Sequence, residues 1–143
     1  MSWERPKTDW RAKYTEEGRY QGDWFNVKDY NRIKNNIYYL YDLSKNTYNN
    51  DETVSLGTDK AMSNYFYADE INAFVAAIRR LSLIVLGEVW RSNIPSYSDN
   101  GPTMTFEHLN QIEKQTVALY NKMLDKTQGH RRLAINFGMG GEF

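Results

Sequence analysis

At 143 residues the chain is long enough for one domain with its own core. Eighteen Lys plus Arg stand against 18 Asp plus Glu, so the formal net charge is zero, which excludes a large basic field for nucleic acid and leaves room only for a local patch. Cysteine is absent, which excludes disulfides and thiolate metal sites.

The opening residues, Met1-Ser2-Trp3-Glu4-Arg5-Pro6-Lys7, contain no apolar stretch of the kind a secretory signal needs. Residues 1–25 carry Trp3, Trp10 and Trp24 with Pro6, Gly18 and Gly22 and show no sustained period. They are expected to form an extended arm whose rings anchor on another protein or on the chain's own helices, two readings of equal weight. A first helix is expected from Asn26, an N-cap with Asp29 three residues on, to about Leu43. Tyr30, Ile33, Ile37 and Leu40 make its apolar stripe. Asn31, Arg32, Asn35 and Asn36 crowd the opposite face. Asparagine is a poor helix former, so these amides are expected to satisfy someone else's backbone.

Residues 44–60 are polar and turn-rich and predict a surface loop. A second helix enters near Asp69, after a preliminary turn at Met62 to Tyr67, and runs to about Arg91 ahead of Ile94-Pro95. Its apolar face (Ile71, Phe74, Val75, Ile78, Leu81, Val85, Leu86) widens until the second half is apolar nearly all round, as a central or partner-buried helix requires. Its run Leu81 to Gly87 is far below membrane-spanning length. After a loop from Ser96 to Pro102, a third helix capped by Thr103 or Thr105 carries Phe106, Leu109, Ile112, Thr116, Leu119, Tyr120 and Met123 and ends near Gly129. The alternation Arg132-Leu133-Ala134-Ile135-Asn136-Phe137 then suggests a short strand that adds to a sheet edge of this chain or of a neighbour, with Ile135 and Phe137 on it. The division is thus 1–25 arm, 26–129 helical bundle and 130–143 strand-like tail.

The first and third helices echo each other. Asn31, Ile33, Leu40 and Tyr41 align with Asn110, Ile112, Leu119 and Tyr120, while Trp10-Arg11 is echoed by Trp90-Arg91. Amphipathic helices share apolar spacing by construction, so the Asn and Leu-Tyr matches carry this reading, a diverged duplication.

Sites for chemistry are sparse. His108 and His130 lack zinc spacing and read as solvated. Asn49, Asn50, Asp51 and Asp59 offer oxygens to calcium but lack the EF-hand order, so a solvated loop is favoured. Gly138-Met139-Gly140-Gly141 has no helix after it to cradle a phosphate, and neither a nucleophile elbow nor a Walker loop occurs. No catalytic residue, metal site or cofactor is expected. Aromatics interleaved with bases at Arg32 to Tyr41 and Arg11 to Tyr20 suit single-stranded nucleic acid, sugars or, with least special geometry, a protein surface.

Trp3-Glu4-Arg5-Pro6-Lys7-Thr8-Asp9-Trp10 followed by Phe25-Asn26-Val27-Lys28-Asp29-Tyr30-Asn31-Arg32-Ile33-Lys34-Asn35-Asn36-Ile37 resembles a pattern, Pro-Lys-Thr-x-Trp … Asp-Tyr-Asn-Arg-Ile-x-x-Asn-Ile. That pattern recurs in tail and baseplate-associated structural proteins of phages and prophages of Gram-positive bacteria, including R-type bacteriocin particles. The ending Arg132-Leu133 … Phe137-Gly138-Met139-Gly140-Gly141 is similar to the Gly-rich ends of such proteins. The likeness covers about the first quarter of the chain and this short tail. It implies a non-enzymatic subunit of a virion or tail-like particle, assembled in the bacterial cytoplasm and present in several copies in a symmetric assembly. Its partners would be other tail or baseplate proteins and fibres, with neither nucleic acid nor a membrane span involved. Fibre proteins with this opening run on into repeats or a receptor-binding head; here the sequence ends at Phe143, so an adaptor is expected.

Together these readings predict a mainly α fold, three principal helices with an aromatic arm and a strand-like tail. Trp3, Pro6, Trp10, Trp24, Asn31, Arg32, Asn35, Asn36, Ile135 and Phe137 are the candidate partner-binding residues, and removing residues 1–24 is expected to leave the bundle folded but to abolish incorporation into particles. The alternative is a small binding module that uses exposed aromatics for cell-wall carbohydrate or single-stranded nucleic acid.

Overall fold

The computed structural model describes residues 2–61, 68–98 and 104–140, with side chains as far as residue 129. Three helices, α1 (Val27–Thr47), α2 (Ala68–Leu86) and α3 (Phe106–Gly140), pack each against the other two. The fold is mainly α, a small bundle with an N-terminal arm laid across it, and among the described residues there is no sheet.

α1 starts where its chemistry dictates. The Asn26 side chain accepts from the backbone N–H groups of Lys28 and Asp29, and the Asp29 carboxylate accepts from the N–H of Asn26, closing a capping box. Its apolar stripe is buried as expected, with Tyr30, Ile33, Ile37 and Leu40 nearly solvent-free. They meet Phe74, Ile78 and Leu81 of α2 and Leu109, Ile112, Leu119 and Met123 of α3 in one core. Each such side chain contributes roughly 1.5–3 kcal/mol by leaving water. The Tyr30 hydroxyl keeps a partner by donating to Glu70 at 2.7 Å.

Helix ends depart from expectation at three places. α1 runs through Ser44-Lys45-Asn46-Thr47 rather than stopping at Leu43. The Ser44 and Thr47 hydroxyls donate back to the carbonyls of Tyr41 and Leu43, so residues that signal a loop are absorbed into the last turn. α2 stops at Leu86, short of Arg91, because Gly87 takes a positive φ of 71° and its N–H closes on the Leu83 carbonyl.

The third departure is larger. Residues 130–140, read as a strand-like tail, continue α3 as helix to Gly140, so the edge-strand role for Ile135 and Phe137 is withdrawn. Extending an existing helix costs far less than starting a new element, and Arg131, Arg132, Leu133 and Ala134 are good helix formers. The alternation that suggested a strand also sets Leu133 and Phe137 four apart, a helical spacing. α3 is therefore 35 residues long, about 52 Å at 1.5 Å per residue. Its N-cap is Thr105, whose hydroxyl oxygen accepts from the His108 N–H. The other cap candidate, Thr103, and the preliminary turn at 62–67 lie outside the described residues.

Candidate partner-binding surface

The extended segments are tied to the helices by one repeated device. A carboxamide side chain can pair with a peptide group in both directions, donating to its carbonyl and accepting from its N–H, much as a neighbouring strand does. Asn36 does this with Glu4, accepting at 3.0 Å and donating at 2.8 Å. Asn110 does it with Trp10 at 2.7 and 2.9 Å, and Asn31 with Lys60 at 2.8 and 3.0 Å. Asn72 of α2 does it with Tyr97 at 2.8 Å in each direction. Four amides thus hold the arm and both interhelical connections against the bundle.

Beneath the arm lies a buried charge. The Glu113 side chain is only 1% exposed and receives two hydrogen bonds from the Arg32 guanidinium, each 3.0 Å. The Lys7 N–H and the Trp10 indole N–H also donate to it, and Arg32 reaches on to Asp29 at 2.7 Å. Burial pushes the Glu113 carboxyl above its ordinary range, while the Trp10 indole, Arg32 and the Lys7 amide pull the other way. Isolated, such a charge would be prohibitively costly; four donors and a counter-charge make it tolerable. The Trp10 ring, 4% exposed, covers the group and stacks on Phe106 at 5.6 Å.

The candidate residues can now be placed. Trp3 stacks on Tyr120 at 4.2 Å and 8°, and Pro6 sits half-buried between the anchored Glu4 and Lys7. Of the two weighed uses of the arm's rings, Trp3 and Trp10 therefore pack on the chain's own helices. Asn31, Arg32 and Asn36 bond to the chain's own connection, α3 and arm, and Asn35 donates to Asp59 at 3.0 Å. The backbone that Asn31 and Asn36 satisfy belongs to this chain, whereas Asn35 meets a side chain and, among the described residues, no peptide group. Ile135 and Phe137 lie on the helical stretch whose side chains are not described. Because Trp10 and Lys7 complete the shell of Glu113, the arm is part of the packed structure, and a chain lacking residues 1–24 would leave that carboxylate short of two donors.

Trp24 is different. It is 71% exposed, on a narrow hairpin made from the middle of the arm. Backbone bonds join Thr15 to Arg19, Gln21 to Lys13 and Asp23 to Arg11, with an antiparallel bridge at Tyr14 and Tyr20 and Gly18 turning at a φ of 84°. Tyr20 lies edge-on to both Trp24 (4.8 Å, 79°) and Tyr14 (5.3 Å, 68°). Together with Asp23, Phe25 and Phe106 these rings line an open concavity of about 380 Å³. Gly22 is required here, since a Cβ would lie 2.6 Å from the Lys13 nitrogen and 2.5 Å from the Tyr20 hydroxyl.

Sequence reasoning passed over Glu113, Asn72 and Asn110 as functional groups. One signal was available: the Asn31–Asn110 correspondence at a constant offset, which the structure meets with the same two-way pairing at both sites. Of the loop oxygens considered for calcium, that of the Asn50 side chain accepts from the Glu52 N–H at 3.0 Å and Asp59 pairs with Lys34 at 2.6 Å. Among the described residues no group of three or more His, Asp or Glu gathers to hold a metal ion, and no helix is long and apolar enough to cross a membrane. His108, read as solvated, meets the Tyr97 hydroxyl through Nδ1 at 2.6 Å. Compared with known protein families, curated proteins and solved structures, the chain matches none.

Proposed function

We propose that this protein is a non-enzymatic structural subunit of a phage tail, baseplate or phage-tail-like particle. In that setting it works in several copies as an adaptor between tail or baseplate and fibre components, assembled in the bacterial cytoplasm. One observation supports the reading beyond the letters themselves. The residues that carry the resemblance to tail-associated proteins are the ones that build the clasp between arm and bundle. Lys7 and Trp10 supply donors to Glu113, Asp29 and Arg32 extend that ion network, Asn31 and Asn36 pair with peptide groups, and Tyr30, Ile33 and Ile37 are core. The shared string therefore encodes a physical unit, an arm pinned to a helix pair, and a chain bearing that string has the parts to build the same unit. The clasp leaves the hairpin with Trp24 and Tyr14 outward, at 71% and 66% exposure.

The test is fractionation of the native host after particle induction, with the protein followed by a terminal tag on a density gradient. Co-migration with tail or baseplate proteins, and cross-links from this chain to one of them, are expected. A protein that stays at the top of the gradient with no tail protein attached sinks the proposal.

A further inference from the structure

We propose that the aromatic concavity beside the hairpin is a binding site for a neutral saccharide ring. Among the described residues the lining is Tyr14, Tyr20, Trp24, Phe25 and Phe106 with one carboxylate, Asp23, and no aliphatic side chain. Its volume of about 380 Å³ falls near the lower end of the roughly 300–1,000 Å³ of small-molecule sites.

A pyranose has two demands that this surface meets together. One face of the ring is a sheet of C–H bonds, which the negative face of an aromatic ring attracts. Around its rim stand hydroxyls that need donors and acceptors. Trp24 and Tyr14 hold their rings in water, and neither the Trp24 indole N–H nor the Tyr14 hydroxyl has a hydrogen-bond partner among the described residues. Asp23 supplies the acceptor. One oxygen takes the Arg11 N–H at 2.9 Å and the other lies 3.4 Å from the Lys7 ammonium, so lone pairs are left over. The platform is also preorganised. The Tyr20 hydroxyl donates to the Asp23 carbonyl, the Tyr20 ring closes over Gly22, and Trp24 rests on its edge.

Charge and composition decide among occupants. Single-stranded nucleic acid also stacks on aromatics but wants a positive groove, whereas the charged side chain of the described lining is the Asp23 carboxylate, whose charge Lys7 already offsets. Protein interfaces enrich Met and Arg along with aromatics, and the described lining holds neither Met nor Arg. A neutral, hydroxyl-rich, flat ligand is what remains. The inference does not depend on membership of a tail particle, because it is read on the isolated protein.

The full-length protein is titrated with an N-acetylglucosamine tetramer and with a maltose oligomer, followed by calorimetry and by the indole N–H resonances in heteronuclear NMR. An oligothymidine and a proline-rich peptide are the competing probes. One of the two sugars is expected to bind with a Kd of about 1 mM or tighter, and to shift the Trp24 indole resonance while leaving that of buried Trp10 in place. Trp24→Ala, at an exposed position and checked for unchanged helix content, is expected to weaken binding about tenfold or more, and Trp24→Phe less. Tyr14→Phe, which removes only the hydroxyl, is expected to weaken it about threefold. The proposal is overturned if neither sugar moves the Trp24 resonance. It is equally overturned if the oligothymidine or the peptide binds in their place, or if Trp24→Ala binds like the parent.

Discussion

Asn110 allows the worth of one two-way amide pair to be measured. Asn110→Leu keeps the size of the side chain and improves helix propensity by a few tenths of a kcal/mol, but it removes both bonds to Trp10. Each such bond is worth about 1 kcal/mol net, and a peptide group left without a partner under a packed arm costs about 1–3 kcal/mol. The expected loss is therefore about 3 kcal/mol, a fall of about 1.5 M in the urea midpoint at a slope of about 2 kcal/mol per molar. Asn110→Asp keeps the acceptor for the Trp10 N–H and lacks the donor for its carbonyl, so it should fall between parent and Leu. Asn35→Ala is the control, because Asn35 bonds at the surface to a largely exposed Asp59 and should stay within about 0.5 kcal/mol of the parent. Unfolding is followed by circular dichroism, and release of the arm by hydrogen exchange at the Trp10 amide. If Asn110→Leu unfolds like Asn35→Ala, or leaves the Trp10 amide equally protected, the amide pair does not hold the arm and the reasoning is wrong.

Three further outcomes are expected. Arg32→Ala strands the Glu113 carboxylate in the core and should cost about 3–5 kcal/mol, whereas Met at both positions should recover part of that; additive losses in the double-mutant cycle would refute the coupling. Gly22→Ala drives a methyl group into the Lys13 backbone and the Tyr20 ring, and should displace the Tyr14 and Trp24 resonances while α1 to α3 keep their helix signal, an outcome visible in NMR spectra. Burial raises the hydroxyl pKa of Tyr30, Tyr41 and Tyr97, that of Tyr97 to about 12. A raised native pKa gives stability that is complete below the ordinary value near 10 and is lost as pH climbs through about 12. Tyrosinate absorbance should accordingly rise in two steps, the later one coinciding with loss of helix signal; a single transition near pH 10 with the fold intact is the contrary result.

Much of the bundle was legible because period and caps are local. The stripe Tyr30, Ile33, Ile37 and Leu40 and the Asn26–Asp29 box need nothing beyond their own segment, and both appear as read. Helix ends were less legible, since Ser44, Thr47 and the 130–140 stretch follow whatever helix precedes them. In isolation a hydroxyl or an alternating pattern signals a break; after several formed turns the same residues propagate the helix.

The opening face of α1 shows the division between sequence and tertiary structure. Composition alone determined that Asn31 and Asn36 serve peptide groups, because an amide is a poor helix former and a good backbone mimic. Only tertiary structure decided whose peptide groups those are, Lys60 and Glu4 of this same chain. Sequence likewise marked Trp3, Trp10 and Trp24 as anchors without separating them. The fold buries Trp10 over Glu113, stacks Trp3 on Tyr120 and leaves Trp24 in water. The physical reason is distance along the chain: Glu113 lies 103 residues from Trp10. No local pattern spans that separation, so the partner of a polar group or ring is settled only when the helices close on one another.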